Sequence, residues 1–230
     1  MNTGTKARWK LLGRWVAGTT AGIAAGCLLL VALLYGVLIS GWGFRSVPAE
    51  MTLVLLAGAG GAVVGLSSGL GQAWSMRRFG IDATRWTLAT ALAVGGGWAA
   101  VCALQLAVLD FDVGKQEELI AFVVGGFGAG ALIGLAQWPL LASRVEGAGW
   151  WIVANGAAWI AGSALAAALL RLIDQGLLKT VAVLLVAVMG VSLLVGAVTG
   201  LVLVILVSGL AVWPRGVLSF APPRAAHHPA

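Results

Sequence analysis

Residues 125–138 read GGFGAGALIGLAQW, and residues 60–73 read GGAVVGLSSGLGQA. A shift of 65 places Gly61, Gly65, Gly69 and Gln72 on Gly126, Gly130, Gly134 and Gln137. Glycines four residues apart share one face of a helix and strip it of bulk, so that a neighbouring helix can approach closely. The same shift carries Trp86 onto Trp151 and Gly97 onto Gly162, so the match extends over a hairpin of two helices.

The surroundings of these glycines decide the solvent. Of 230 residues, 60% are hydrophobic and 10% are charged, against roughly 25% charged in an average soluble domain. The apolar residues fall into runs of about twenty or more, long enough as helices to cross a hydrocarbon layer of about 30 Å. Boundary signals predict an all-α integral membrane protein with six spans, near 12–40, 51–75, 85–109, 119–142, 150–172 and 179–211. Residues 1–214 form the membrane domain in this reading, and 215–230 a flexible Pro/Ala/His tail. Glycines inside apolar helices, with no preceding strand and no lysine–serine ending, do not make a phosphate loop or a dinucleotide fingerprint. The first run, from about Leu11 to Ile39, lacks an A-x-A cleavage site and reads as a retained helix.

Charge orients the bundle. Lys6, Arg8, Lys10, Arg14, Arg77, Arg78, Arg85, Arg144, Arg215 and Arg224 lie on one side with Asp82 and Glu146; the other side carries Arg45, Lys115, Arg171 and Lys179 with six acidic residues. Ten basic residues against four predict both termini on the cytoplasmic face of a bacterial inner membrane. Trp9, Trp15, Trp74, Trp86, Trp138, Trp150, Trp151 and Trp213 fall near that same boundary and read as a one-sided aromatic belt, with Trp42 on the opposite surface and Trp98 and Trp159 deeper. The net charge of +6 flanks membrane spans instead of lining a groove, which favours anionic lipid over nucleic acid as its partner.

Further small residues extend the pattern. The first span has Gly18, Gly22 and Gly26, and the sixth has Gly196 and Gly200 with no glutamine at the equivalent place. Trp15 and Gly26 repeat the eleven-residue separation of Trp86 and Gly97, so a third hairpin split between the chain ends is one expectation. Gln72 and Gln137 are candidate interhelical or ligand contacts, because an amide both donates and accepts. Asn155 is a third candidate interhelical or ligand contact, read first as an interhelical hydrogen-bond group, and Pro139 reads as a bend or end of the fourth helix. Gln105, Ser163, Ser192 and Thr199 complete the sparse polar content of the spans.

Chemistry has little to use. The span centres lack Asp, Glu, Lys, Arg and His, the groups on which pumps, ion-coupled carriers and intramembrane metal enzymes depend. Cys27 and Cys102 sit in apolar runs and read as packing residues; His227 and His228 in the tail do not complete a metal site. Asp110, Asp112, Glu117 and Glu118 lack the ligand pattern of a calcium loop. No catalytic residue, cofactor or metal is assigned on this reading.

At GLAQWPLL, followed by Arg144 and then GWW at 149–151, the sequence resembles a group of uncharacterised bacterial multi-span proteins whose repeated glycine-rich helices end in glutamine and tryptophan. The resemblance spans roughly residues 58–165, departs at Ala73, and implies no activity. A six-helix chain of this size also resembles the substrate-capturing component of energy-coupling-factor vitamin carriers, whose small-residue helix surfaces dock a partner. Two functions follow as expectations: a noncatalytic subunit or scaffold within a larger membrane complex, or a small transporter or substrate-binding component.

Overall fold

The computed structural model describes residues 3–40, 48–108, 116–171 and 177–208. Trp42, Arg45, Asp110, Asp112, Lys115, Asp174, Trp213, Pro214, Arg215, Arg224, His227 and His228, and the tail expected at 215–230, lie outside them. Six helices follow in order: α1 (Thr3–Ser40), α2 (Ala49–Met76), α3 (Ala83–Val108), α4 (Gln116–Ala142), α5 (Trp150–Leu170) and α6 (Leu177–Val207). All six are long and apolar enough to cross a membrane. The protein is an all-α, multi-span membrane bundle.

Hydropathy locates the spans well and the helix ends less well. α1 begins at Thr3, well before the apolar run expected from residue 12, because Lys and Arg are good helix formers and carry the helix on through the headgroup region. α4 ends at Ala142, where the expected span 119–142 ends, and runs through Pro139, which therefore does not end it. Proline so close to a C-terminus removes one hydrogen bond, to the carbonyl of Leu135, which leaves the helix intact.

Local signals fix the connections. Pro48 precedes α2, where a missing N–H costs nothing, and Glu50 in the first turn faces the positive end of the helix dipole. After α2 a 3-10 turn, Arg77–Phe79, ends at Gly80 with φ 66°, a left-handed conformation that a side chain would strain. The Oδ1 of Asp82 then accepts from the N–H of Thr84 (2.9 Å) and of Arg85 (3.1 Å), capping α3. Gly147, φ 72°, performs the corresponding reversal between α4 and α5. An Arg144 Nη2 bond to the Gly80 carbonyl (3.3 Å) ties the two turns together.

Short turns make sequence neighbours antiparallel partners. α1 packs on α2, α2 on α3, α3 on α4, α4 on α5 and α5 on α6, and α6 returns to α1, so the six helices close a ring. The buried apolar core lies at one end of that ring: Leu11, Trp15, Ala73, Met76, Trp86, Leu141, Trp151 and Leu203 come together there. These residues sit near the start of α1, α3 and α5 and the end of α2, α4 and α6, as alternating helix directions require. Toward the other end, large apolar side chains such as Leu29, Val31, Leu53, Leu55, Leu185 and Val186 are exposed. They present the outer surface that lipid would cover.

Glycine decides how closely the ring packs. A Cβ at Gly65 would stand 2.7 Å from Ala91 Cα, at Gly69 2.9 Å from Thr87 Cα, and at Gly61 2.7 Å from the Val94 carbonyl oxygen, so all three face α3. Gly126, Gly130 and Gly134 face Ser163, Asn155 and Ile152 of α5 in the same way. Gly196 and Gly200 of α6 face Val16 and Trp15 of α1. Gly18, Gly22 and Gly26 of α1 meet Gly71, Ser68 and Val64 of α2. Lipid tails are as apolar as leucine, so this close backbone contact, and not exclusion of oil from water, is what favours the assembled ring within a membrane.

Candidate functional site

Three indoles occupy the interior of the packed end. Trp15, Trp86 and Trp151 are fully buried. Their ring centroids are 6.1 Å apart for Trp15–Trp86, 5.5 Å for Trp15–Trp151 and 6.2 Å for Trp86–Trp151, with interplanar angles of 81°, 80° and 55°. Edge-to-face contact places the positive rim of one ring on the negative face of the next. α1, α3 and α5 alternate around the ring with α2, α4 and α6 between them, so their tryptophans meet only by reaching inward. Three residues expected in a lipid-facing belt therefore form a plug. Trp9 and Trp74 remain exposed as the belt reading requires, and Trp138 and Trp150 are partly buried.

Each indole N–H leaves the triad toward a polar side chain on an even-numbered helix. Trp86 donates to Gln72 Oε1 (3.1 Å), Trp151 to Gln137 Oε1 (2.8 Å) and Trp15 to Thr199 Oγ1 (2.9 Å). Indole nitrogen only donates, which turns the amide oxygen of each glutamine inward. Gln137 Nε2 then donates to Thr90 Oγ1 (2.8 Å) and to Gln72 Oε1 (3.2 Å). The Thr90 hydroxyl in turn donates to the Trp86 carbonyl (2.8 Å). Gln72 and Gln137 thus join α2, α3, α4 and α5 in one network.

Two further buried polar residues donate to carbonyls of their own helices. Asn155, read as an interhelical group, donates Nδ2 to the Trp151 carbonyl one turn back in its own helix (2.9 Å). Thr199, where no glutamine counterpart was expected, takes the glutamine role toward Trp15 and donates to the Val195 carbonyl (2.6 Å). Thr19, Thr90 and Asn155 each stand four residues after their tryptophan, and of these the Thr19 hydroxyl has no partner. The missed signal was legible: Gln72 to Trp86 and Gln137 to Trp151 are both 14 residues, a spacing that points the two side chains at each other across a turn.

A second feature lies on the outside. Between α1 and α6 a mostly apolar groove of about 630 Å³ is bounded by Trp9, Gly13, Ala17, Thr20, Ala21 and Ala24 of α1 and Met189 and Leu193 of α6. Gly13 and Ala17 are exposed, on the side of α1 away from the glycines that meet α2. Thr20 is only 8% exposed, and its hydroxyl has no hydrogen-bond partner.

Amides, hydroxyls and indoles do not titrate near neutrality, so the buried network is uncharged. Among the described residues no three His, Cys, Asp or Glu side chains gather as a metal would need. Glu117 and Glu118 fall in the first turn of α4. Cys27 and Cys102 are free and partly buried. The chain matches no protein-family model, no curated protein and no solved structure.

Proposed function

We propose that the protein is a noncatalytic subunit of a larger membrane assembly, with both ends of the chain at the cytoplasmic face of a bacterial inner membrane. Its architecture on this reading is three antiparallel hairpins, α2–α3, α4–α5 and a split α6–α1, each closed by a tryptophan that donates to its partner helix. The 65-residue offset between Gln72 and Gln137 and the one-sided basic residues support it.

One observation carries the functional reading: the side-chain oxygens of Gln72, Gln137 and Thr199 are taken up by the three buried indoles, while the α1–α6 groove is lined mainly by small and apolar side chains. A carrier needs polar groups facing a pathway; a docking subunit needs a face that another helix can approach closely. Native mass analysis after mild extraction tests this. A reproducible larger complex with defined stoichiometry is the expected result, whereas a lone protein that drives selective solute flux in reconstituted vesicles refutes it in favour of transport.

A further inference from the structure

The end of the bundle that holds the tryptophan plug also gathers cations on its outside. Arg14 precedes the buried Trp15 but is itself exposed, and its guanidinium carbon stands 5.4 Å from the centroid of the Trp74 ring on α2. Trp74 is 51% exposed. Arg77 follows it by three residues with helical backbone, and Lys10 precedes Arg14 by four; both are exposed, and each lies one turn from its neighbour on the same side of its helix. Among the described residues the only ion pair is Arg85–Asp82, at 3.5 Å. An indole face attracts a guanidinium but offers it no oxygen, and no carboxylate pairs with it either, so the N–H donors of Arg14 are left for an acceptor from outside the chain.

The surface next to these cations is apolar. Leu70 and Leu66, four and eight residues before Trp74, are 62% and 41% exposed and continue its face of α2 toward the middle of the bundle, over about 12 Å. An occupant that fits both parts carries negative charge at one end and hydrocarbon at the other. A soluble acidic protein reaches the cations but not the leucines, which lie at the depth of lipid tails. A zwitterionic phospholipid covers the leucines but sets its own ammonium among Lys10, Arg14 and Arg77. An anionic phospholipid satisfies both, since its phosphate matches the fork of a guanidinium and brings no opposing cation.

We infer that the α1–α2 junction at this end binds one anionic phospholipid. Arg14 and Arg77 take its phosphate, with Lys10 adding charge beside them. Trp74 is a positioning residue that holds the Arg14 guanidinium at headgroup level. One acyl chain lies on Leu70 and Leu66. The site needs only the membrane-spanning bundle, and it stands or falls apart from the subunit reading above.

The test sets phosphatidylglycerol against phosphatidylcholine with the same acyl chains, added in equal amounts to the full chain in detergent and counted as adducts by native mass spectrometry. A preference of about tenfold for one bound phosphatidylglycerol is expected, and Arg14→Gln should remove it. Arg77→Gln should lower it about fivefold, and serves in place of Arg14→Gln where that variant is not recovered folded. Trp74→Leu, which keeps apolar bulk but releases the guanidinium, should lower it about threefold. Arg85→Gln, at the same end but already paired with Asp82, should leave it unchanged. Equal retention of the two lipids overturns the inference. So does a loss in Arg85→Gln as large as in Arg14→Gln, since charge at this end would then act without a site. Displacement of the lipid by an equal concentration of glycerol phosphate, which has the charge without the chains, overturns it too. A wild-type chain that keeps phosphatidylglycerol but is found with no partner protein removes the subunit reading and leaves the lipid site standing.

Discussion

The α2–α5 half of the ring and the α6–α1 pair use the same indole against different partners. In the first, Gln72 and Gln137 have amides long enough to take the tryptophan N–H and also reach each other, so two hairpins become one cross-linked unit. In the second, Thr199 accepts from Trp15 and donates back to its own helix, so its hydroxyl links only this pair, while the Trp15 ring packs on Trp86 and Trp151. The difference teaches how far each partner reaches, and not where polar groups go unused: unpartnered buried hydroxyls occur in both regions, at Thr19 and Thr20 of α1 and at Ser75 and Thr87 of α2 and α3. An amide integrates helices that a hydroxyl merely pairs.

Bulk at the glycine face would break the comparison most severely, since both halves depend on backbone contact. Gly65→Leu is expected to abolish recovery of folded protein from detergent, because the new side chain meets the α3 backbone at Ala91, which has no rotamer to change. Gly128→Leu, at a glycine with nothing within 4 Å of its missing Cβ, should leave yield and melting temperature near wild type. Equal behaviour of the two variants would mean that the glycines do not set helix spacing.

Removing the amide should cost less. Gln137→Leu orphans the Trp151 N–H and breaks the bonds to Gln72 and Thr90. Reversible unfolding in mixed micelles is expected to report a loss of about 2–3 kcal/mol, from interhelical bonds of about 0.6–1.7 kcal/mol each. The smallest effect should belong to Thr199→Val, which keeps the shape and loses the single Trp15 bond, at about 1 kcal/mol. A Thr199→Val cost equal to that of Gln137→Leu would erase the distinction between the two regions.

Much of this was legible along the chain. Apolar runs marked all six spans, and the glycine spacing marked faces without bulk. The two glutamines stood out because an amide inside a membrane helix is rare enough to demand a partner. Trp15, Trp86 and Trp151 were misplaced for a physical reason: an indole near a helix end has the same local sequence whether it turns toward headgroups or toward the bundle axis. Asn155 bonds within its own helix, an outcome that polarity alone does not distinguish from a bond across helices. The Gly13, Ala17 and Ala21 stripe passed unremarked beside the more conspicuous Gly18, Gly22 and Gly26 on another face of the same helix.

The chain by itself determined its solvent, the number of its spans and the small-residue faces along which they approach, because hydropathy and helical periodicity are properties of each segment alone. Only the tertiary structure decided which tryptophans face inward, which polar group each one finds, and which face of α1 stays uncovered. Those outcomes depend on pairs of residues as distant as Trp15 and Thr199, 184 positions apart. The closing of the ring brings them together, and no local pattern records it.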